Sequence, residues 1–416
     1  MARVQSGLGA RRVSESRFRA AGYSWQLHCG RSVIEHGLEA AVVRAGAMRA
    51  FVVCSRSVNR RTDAVRRIEA ALGRRYVGVF DGIEKDSTYA SVRAATQAAR
   101  ERAADLLLAV GGGSVIVATR AVAIFLAESA DPLEIMTQYP EGKPAHSPRL
   151  LAPKPPIINI PTTPTSAMNR AGTGLKNPDL DHRMEYFDPK TRPRAILLDE
   201  QALLATPPEL IRSTATTVFA GLVGAMSQTA TNSLAEGDRD QAFRLANRAY
   251  PRLADESDDA AARVDLCLAA FLQNRAEDDG FQRLRAGAFS GDYAVSTALH
   301  VRYPHVGQGE ATSAVHATKI RLSAAVEAHS AQQVAKAIGV WRDGMDARTA
   351  ALAVADTLET LYGQIGMPTR LRQLGIPRED LRAIANETVK NFNANAGVRS
   401  PAEQAEVALR LLEAAY

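Results

Sequence analysis

The chain has 416 residues, 46% hydrophobic and 23% charged, enough for a sizeable core and more than one domain. Its net charge of +6 comes from arginines spread along the chain, which favours anionic ligands and argues against a nucleic-acid footprint. Aromatic residues make up only 6%, with no aromatic and basic interleaving of the kind single-strand binders use, and no apolar run reaches the ~18 residues of a membrane span. Cys29, Cys54 and Cys267 are far apart and form no CxxC, so neither a disulfide framework nor a zinc knuckle is expected. Reduced thiols in a cytoplasmic protein fit that pattern. Residues 1–20 carry five arginines against Glu15 and read as a disordered basic arm, with a transit-like segment as the alternative.

Residues 21–205 alternate strand-like and helix-like segments. Tyr23 to His28 reads as a short strand, Ser32 to Ala45 as a helix, Ala50 to Cys54 as a strand and Thr62 to Leu72 as a helix. Arg75 to Phe80 is a strand and Ser91 to Ala104 a helix. Leu106 to Val110 is a continuous apolar run, short enough for a buried strand. It meets Gly111-Gly112-Gly113-Ser114, with Ser114 expected to cap a helix from Val115 to Leu126. Strand, glycine turn and helix N-terminus present bare N–H groups to a phosphate. Such spacing argues a parallel sheet with helices on both faces, whose ligands sit beyond the carboxyl ends of the strands. After a proline-rich loop, Ile157 to Ile160 is a strand running into Pro161-Thr162-Thr163-Pro164-Thr165-Ser166. Its hydroxyls suit a cofactor amide, ribose or phosphate. Ala195 to Leu198 is the last strand expected.

Beyond Pro207-Pro208 the pattern is helical. Helices are expected at Glu209 to Ser233, Gln241 to Leu253, Ala260 to Gln273, Thr312 to His329, Ala331 to Ile338, Ala347 to Gly363, Pro377 to Ala385 and Ala402 to Ala415. The expected architecture is an α/β dinucleotide-binding domain with a parallel sheet over 21–205, followed by an all-helical domain over 206–416.

Four landmarks in order resemble the iron-containing alcohol dehydrogenase family, which includes metal-independent maleylacetate reductases and is related to dehydroquinate synthase. They are Gly111 to Ile116, Pro161-Thr162-Thr163, Leu197-Leu198-Asp199 with Thr206-Pro207-Pro208, and Gly366-Met367-Pro368 with Gly375-Ile376. The resemblance implies NAD(P)-dependent interconversion of carbonyl and alcohol in a cleft between the domains, and a small carbonyl substrate. A homodimer is expected, with no nucleic acid and no membrane as partner. The cofactor residues it implies are Gly111, Gly112, Gly113, Ser114, Thr162, Thr163, Thr165 and Ser166, with Ser55 and Arg56 at the end of the second strand. Ser55-Arg56 lacks the acid that repels a 2′-phosphate, so NADPH is favoured over NAD.

Departures from the family pattern bear on the chemistry. Metal-binding members use an Asp and a His four residues apart on the first helix of the second domain, so that one face reaches one ion. Here Phe219 and Val223 stand in those places, and no Asp, Glu or His occurs from Ile211 to Ala235. Val117 and Arg120 replace an Asp and a Lys after the glycine motif, and Thr165-Ser166-Ala167-Met168-Asn169 lacks the family's Glu. His300, His305 and His316 remain, with Glu310 as a candidate substitute ligand. No metal is expected. The candidate catalytic groups are His300 and His316 as a polarising pair and His305 as proton donor, with Arg302, Tyr303 and Lys319 nearby. The alternatives are a metal-using dehydrogenase, a dehydroquinate-synthase-like lyase, or a nucleotide-binding protein without turnover.

Overall fold

The structure is a computed structural model that describes residues 18, 20, 22–140, 146–180, 182–228, 232–254, 258–278, 287–323, 326–389 and 400–416. The basic arm expected at 1–20 lies almost wholly outside the described residues. The first half runs β1 (Gln26–Gly30), α1 (Val33–Arg44), β2 (Ala50–Cys54), α2 (Arg56–Arg61), α3 (Ala64–Leu72), β3 (Tyr76–Phe80), α4 (Tyr89–Glu101), β4 (Leu106–Gly111) and α5 (Gly113–Ala127). It continues with α6 (Pro132–Ile135), β5 (Ile157–Pro161), β6 (Gly172–Leu175), β7 (Met184–Phe187), β8 (Ala195–Asp199) and α7 (Glu200–Leu204).

Six strands form one sheet in the order β1-β8-β5-β4-β2-β3, and every neighbouring pair is parallel. Side chains alternate across it, as a period of two requires. Leu106, Leu108 and Val110 pack with Ile34, Leu38 and Ile68 of α1 and α3. Leu107 and Ala109 pack with Val92, Ile116 and Val122 of α4 and α5 on the other face. Both faces are covered, which is why β4 is apolar at every position. From β2 the chain steps outward to β3, then returns to β4 and proceeds the other way to β5. The crevice at the carboxyl ends of β2 and β4 is therefore the topological switch point of the sheet.

The strands and long helices expected from the sequence are present with shifted ends. The antiparallel hairpin of β6 and β7 was not expected, because Gly172 and Gly174 break its apolar alternation. The helix expected over 62–72 is broken at Thr62, whose hydroxyl bonds back to the Val58 carbonyl at 2.6 Å. The residue flanking α5 as its cap is Gly112 and not Ser114, which lies inside the first turn.

The second half is helical: α8 (Pro208–Met226), α9 (Ser233–Ala249), α10 (Ala260–Asp278), α11 (Tyr293–Arg302), α12 (Gln308–Leu322), α13 (Ala328–Ile338), α14 (Ala347–Gln364), α15 (Leu381–Thr388) and α16 (Pro401–Ala414). The short α11 was not expected from the sequence. Phe219, Leu222 and Val223 of α8 join Phe243, Tyr250, Leu358 and Tyr362 in the larger core of this half. α10 also covers the sheet, where Cys267 and Phe271 pack on Ile196 and Leu198 of β8. Asn274 extends that contact, its amide donating to the Ser166 carbonyl at 2.9 Å.

Candidate functional site

The glycine loop lies at the switch point. Gly111 has φ +153°, and a Cβ there would come within 2.8 Å of Val115. Cβ atoms on Gly112 and Gly113 would stand 3.1 and 3.0 Å from the hydroxyls of Thr163 and Thr165. Gly112 and Gly113 thus lie in close approach to the loop after β5, and the backbone of Gly111 favours glycine. Together the two loops make a narrow cradle under the N-terminus of α5, whose first-turn N–H groups have no intrahelical acceptor. Thr163 Oγ1 is buried beside Gly112 and has no hydrogen-bond partner. A buried hydroxyl left unpaired costs free energy, and a phosphate or ribose oxygen in the cradle would satisfy it. These residues fit a dinucleotide.

The other residues expected to hold the cofactor are arranged as follows. Thr162 is anchored by its backbone: its N–H donates to the Gly111 carbonyl at 3.1 Å, and its own carbonyl accepts from Thr206 Oγ1 at 2.7 Å. Thr165 Oγ1 accepts from the Ala167 N–H at 3.1 Å, and the Ser166 carbonyl is held by Asn274. Ser55 and Arg56 open α2 at the carboxyl end of β2, with Arg56 exposed. Arg120, in contrast, does not face the cradle. It is fully buried and donates to the Ala167 and Gly172 carbonyls, bracing the loop after β5. Burial, with Arg170 beside it, lowers its pKa to about 9.

The loop after β3 forms the next wall. Asp86 and Ser87 adopt left-handed backbone, φ +66° and +56°. Ser114 holds this turn in place, its hydroxyl accepting from the Asp86 N–H at 3.2 Å and its carbonyl from Ser87 Oγ at 2.7 Å. The turn aims Asp86 at the helical half, where Asp86 Oδ1 lies 2.5 Å from His300 Nε2. The other ring nitrogen, Nδ1, lies 2.7 Å from the Val306 carbonyl. Lys85 donates to the Pro304 carbonyl alongside. Burial raises the Asp86 carboxyl, but the His300 hydrogen bond and charge, with Arg183 and Lys85, outweigh it and hold the group below the usual range. Thr297 Oγ1, one turn before His300 on α11, is buried without a partner. Asp86 was missed in the sequence. The only signal was its place in a polar loop directly after a parallel strand.

The three histidines are not brought together. His316 is fully buried, with Nδ1 2.8 Å from the Tyr362 hydroxyl and Nε2 2.8 Å from the Phe289 carbonyl. Burial lowers its pKa to about 4. Both nitrogens are used inside the core, which leaves none to polarise a substrate. His305 is exposed and faces the Leu374 carbonyl at 3.0 Å, away from the cradle. Arg302 and Tyr303 point to Glu387 and Asp380 on the helical half. Lys319 donates to Ser290 Oγ at 2.9 Å and lies 3.7 Å from Asp292.

The metal question turns on α8. Phe219 and Val223 are core residues, Phe219 stacked on Tyr250 at 4.4 Å between ring centroids, so neither stands at a ligand position. A partly exposed pair at the same spacing on that helix is Thr217 and Gly221, which offers at most one hydroxyl. Beside it α8 is closed against its neighbours. A Cβ on Gly309 of α12 would overlap the Ser213 backbone, and one on Gly224 would lie 2.9 Å from Ser290. Glu310, the candidate substitute ligand, accepts from Ser213 Oγ at 2.5 Å. No group of three His, Cys, Asp or Glu suited to a metal ion occurs among the described residues. These residues do not fit the family's metal.

Comparison with known proteins agrees with the fold. The family model for iron-containing alcohol dehydrogenase matches residues 26–200, and the model for its C-terminal domain matches residues 215–416. Maleylacetate reductase 2 of Cupriavidus pinatubonensis is 28% identical over 269 residues, 65% of this chain. The match spans only 62% of that relative's length. The 1,3-propanediol dehydrogenase of Citrobacter freundii is 24% identical over 332 residues, 79% of this chain and 81% of the relative. The crystal structure of a 1,3-propanediol oxidoreductase superposes with a TM-score of 0.81 at 20% identity, covering 96% of this chain and all of that one. With both halves matched in order by its models, the chain belongs to the iron-containing alcohol dehydrogenase family.

Proposed function

We propose that the protein is an NAD(P)H-dependent reductase of a small aldehyde or ketone that works without a catalytic metal. The observation that carries the redox reading is the cradle of Gly111–Gly113 facing the unpaired Thr163 hydroxyl at the switch point. The filled space between α8 and α12, with no carboxylate or imidazole on the open face of α8, supports the metal-free part. The acid-bearing substrate suggested by maleylacetate reductase remains one arm of the test, because that relative is covered only in part.

NAD(P)H, when bound, supplies the hydride. The chain's own residues bind and orient it: α5 and the Thr163 and Thr165 hydroxyls hold the phosphates, and Arg56 reads a 2′-phosphate. The oxygen of the reduced carbonyl gains negative charge and needs a donor and a proton. His300 is the candidate for both roles. Its nitrogens are paired, Nδ1 with the Val306 carbonyl and Nε2 with Asp86, so it serves the substrate oxygen by exchanging Asp86 for it at the interdomain wall. His316, enclosed in the helical core, cannot do so. The two partners of the His300 ring are a carbonyl and a carboxylate, which fix its orientation. Asp86 then positions the ring. A proton passed from His300 to the alkoxide is regained from solvent.

The test is NADPH and NADH oxidation by the full chain with a panel of aldehydes, ketones and oxo acids, before and after exhaustive chelation. Turnover that survives chelation is expected. Loss of activity restored by iron or zinc would overturn the metal-free reading. Cofactor binding with no turnover across the panel would overturn the reductase reading.

A further inference from the structure

A second charged cleft lies at the opposite end of the sheet from the glycine loop. It encloses about 310 Å³ and is lined by Ser24, Gln26, Arg44, Lys154, Lys190 and Arg194, with Ala41, Ala45 and Pro156. Its position follows from the topology. The strands are parallel, so the amino-terminal ends of β1, β5 and β8 come together there. Gln26 opens β1, Pro156 precedes β5 and Arg194 precedes β8. The C-terminal turn of α1 brings Arg44 to the rim. Ligands of such sheets ordinarily bind at the carboxyl ends. The cleft is therefore separate from the proposed cofactor site and owes nothing to hydride transfer.

Its charge is unbalanced. Lys154 has a completely buried side chain and is held by Glu128 at 2.6 Å and Asp188 at 3.1 Å. Lys190 lies 3.0 Å from the same Asp188 and donates to the Leu150 carbonyl at 2.8 Å. Burial works against ionisation of Asp188, but hydrogen bonds from Lys190 and Lys154 prevail and hold it below the usual carboxylate range. Two acids thus answer two lysines. Arg44 and Arg194 are exposed and make no side-chain hydrogen bond or ion pair among the described residues. Two guanidinium forks on one cleft with no carboxylate lining it make a seat for a ligand with two negative charges. Their planar geometry matches the paired oxygens of phosphate or carboxylate. Ser24 and Gln26 add neutral donors within the same cleft.

We infer that this cleft binds a small dianion, a phosphate monoester or a dicarboxylate, between Arg44 and Arg194. The ligand neutralises the two unanswered charges and ties the end of α1 to the start of β8. Binding there stabilises the folded chain by mass action.

The experiment is isothermal titration of the full chain with inorganic phosphate and, separately, with succinate, at ionic strength matched by chloride. The glycine loop is also able to take phosphate, so the readout is the difference made by R44E/R194E. That variant is expected to lose one equivalent of bound anion per chain, with affinity at this cleft weakened more than tenfold. R410E, an exposed charge reversal elsewhere, is expected to lose nothing. Because Arg44 stands in the last turn of α1, where a cation suits the helix dipole, R44Q/R194Q is measured beside it as a gentler variant. Circular dichroism and NADPH binding verify that both variants fold. Loss of phosphate binding alone assigns the cleft to phosphate monoesters, and loss of succinate binding assigns it to dicarboxylates. If the variants bind both anions as the native chain does, or the native chain binds neither beyond chloride, the inference is overturned.

Discussion

At Gly112 the missing side chain lets the backbone come close to the Thr163 hydroxyl, whereas at Gly309 it lets one helix lie against the backbone of another. The two positions belong to the two halves of one site. In the α/β half, glycines let the β4–α5 turn and the loop after β5 approach closely at the switch point. In the helical half, small residues on α8, α12 and the 287–291 segment let these elements approach closely, and Phe219 and Val223 turn into the core. Cofactor binding and metal binding are therefore separable demands on this fold. On the proposed metal-free reading, one half has lost its ligand chemistry while the other keeps its geometry, because different elements carry them.

The largest effect is expected where the helices touch. Gly309→Val pushes a side chain into the Ser213 backbone, and α8 cannot yield without disturbing Phe219 and Leu222 beneath it. A loss of about 3 kcal/mol or more in urea unfolding is expected, at the upper end of overpacking costs. Native stability in this variant would show that the helices are farther apart than the structure has them. Nearly as large, but confined to acid, is the effect of His316. Its folded pKa of about 4 lies below the ordinary value of 6.5, so the unfolded chain takes up a proton that the folded chain refuses. Its contribution is complete above pH 6.5 and falls away as the pH drops toward 4, by on the order of 3 kcal/mol in all. His316→Gln is expected to flatten the dependence of stability on pH across that window. An unchanged slope would mean that the ring is not held neutral inside the core.

Gly112→Val sharpens the other side of the comparison. The Cβ meets a hydroxyl at the edge of the cleft and not a helix backbone, so stability is expected to change by under about 1 kcal/mol. Affinity for NADPH, followed by nucleotide fluorescence, is expected to fall about a hundredfold, the cost of removing the close backbone approach that a phosphate needs. Equal losses of stability in Gly112→Val and Gly309→Val would erase the distinction between an open and a closed site.

The α/β half was legible because its signals are local. An apolar run of five, a glycine turn and an Ala-rich helix define one strand-turn-helix unit, and repeats of that unit define a parallel sheet. The hairpin of β6 and β7 was not legible, because its stability comes from α5: Thr173 donates to the Val117 carbonyl and Arg120 to that of Gly172. The site in the helical half was read less well for a similar reason. Sequence gives the spacing of Phe219 and Val223, but which face of α8 meets the core depends on Phe243 and Tyr250 at α9 and Tyr362 on α14, two segments apart from it in the chain. A buried, satisfied histidine and a cleft histidine also look the same in a sequence. His316 and His300 differ only in that one meets Tyr362 and Phe289 and the other an aspartate 214 residues away.

That aspartate allows the smallest and most discriminating test. Asp86 has left-handed backbone, which Asn tolerates nearly as well as Asp, so Asp86→Asn removes the charge and leaves the turn intact. Its amide is still able to meet the His300 ring, but the ring loses its carboxylate partner. The expected result is a fall in kcat of roughly tenfold with little change in KM. Asp86→Ala adds backbone strain at φ +66° and is expected to lower stability by about 1 kcal/mol besides. If the two variants shared one stability loss and both kept the native kcat, Asp86 would be only a turn residue. The proton source would then have to be sought elsewhere on the cleft wall, with the unpaired Thr297 hydroxyl one turn from His300 as the next group to remove.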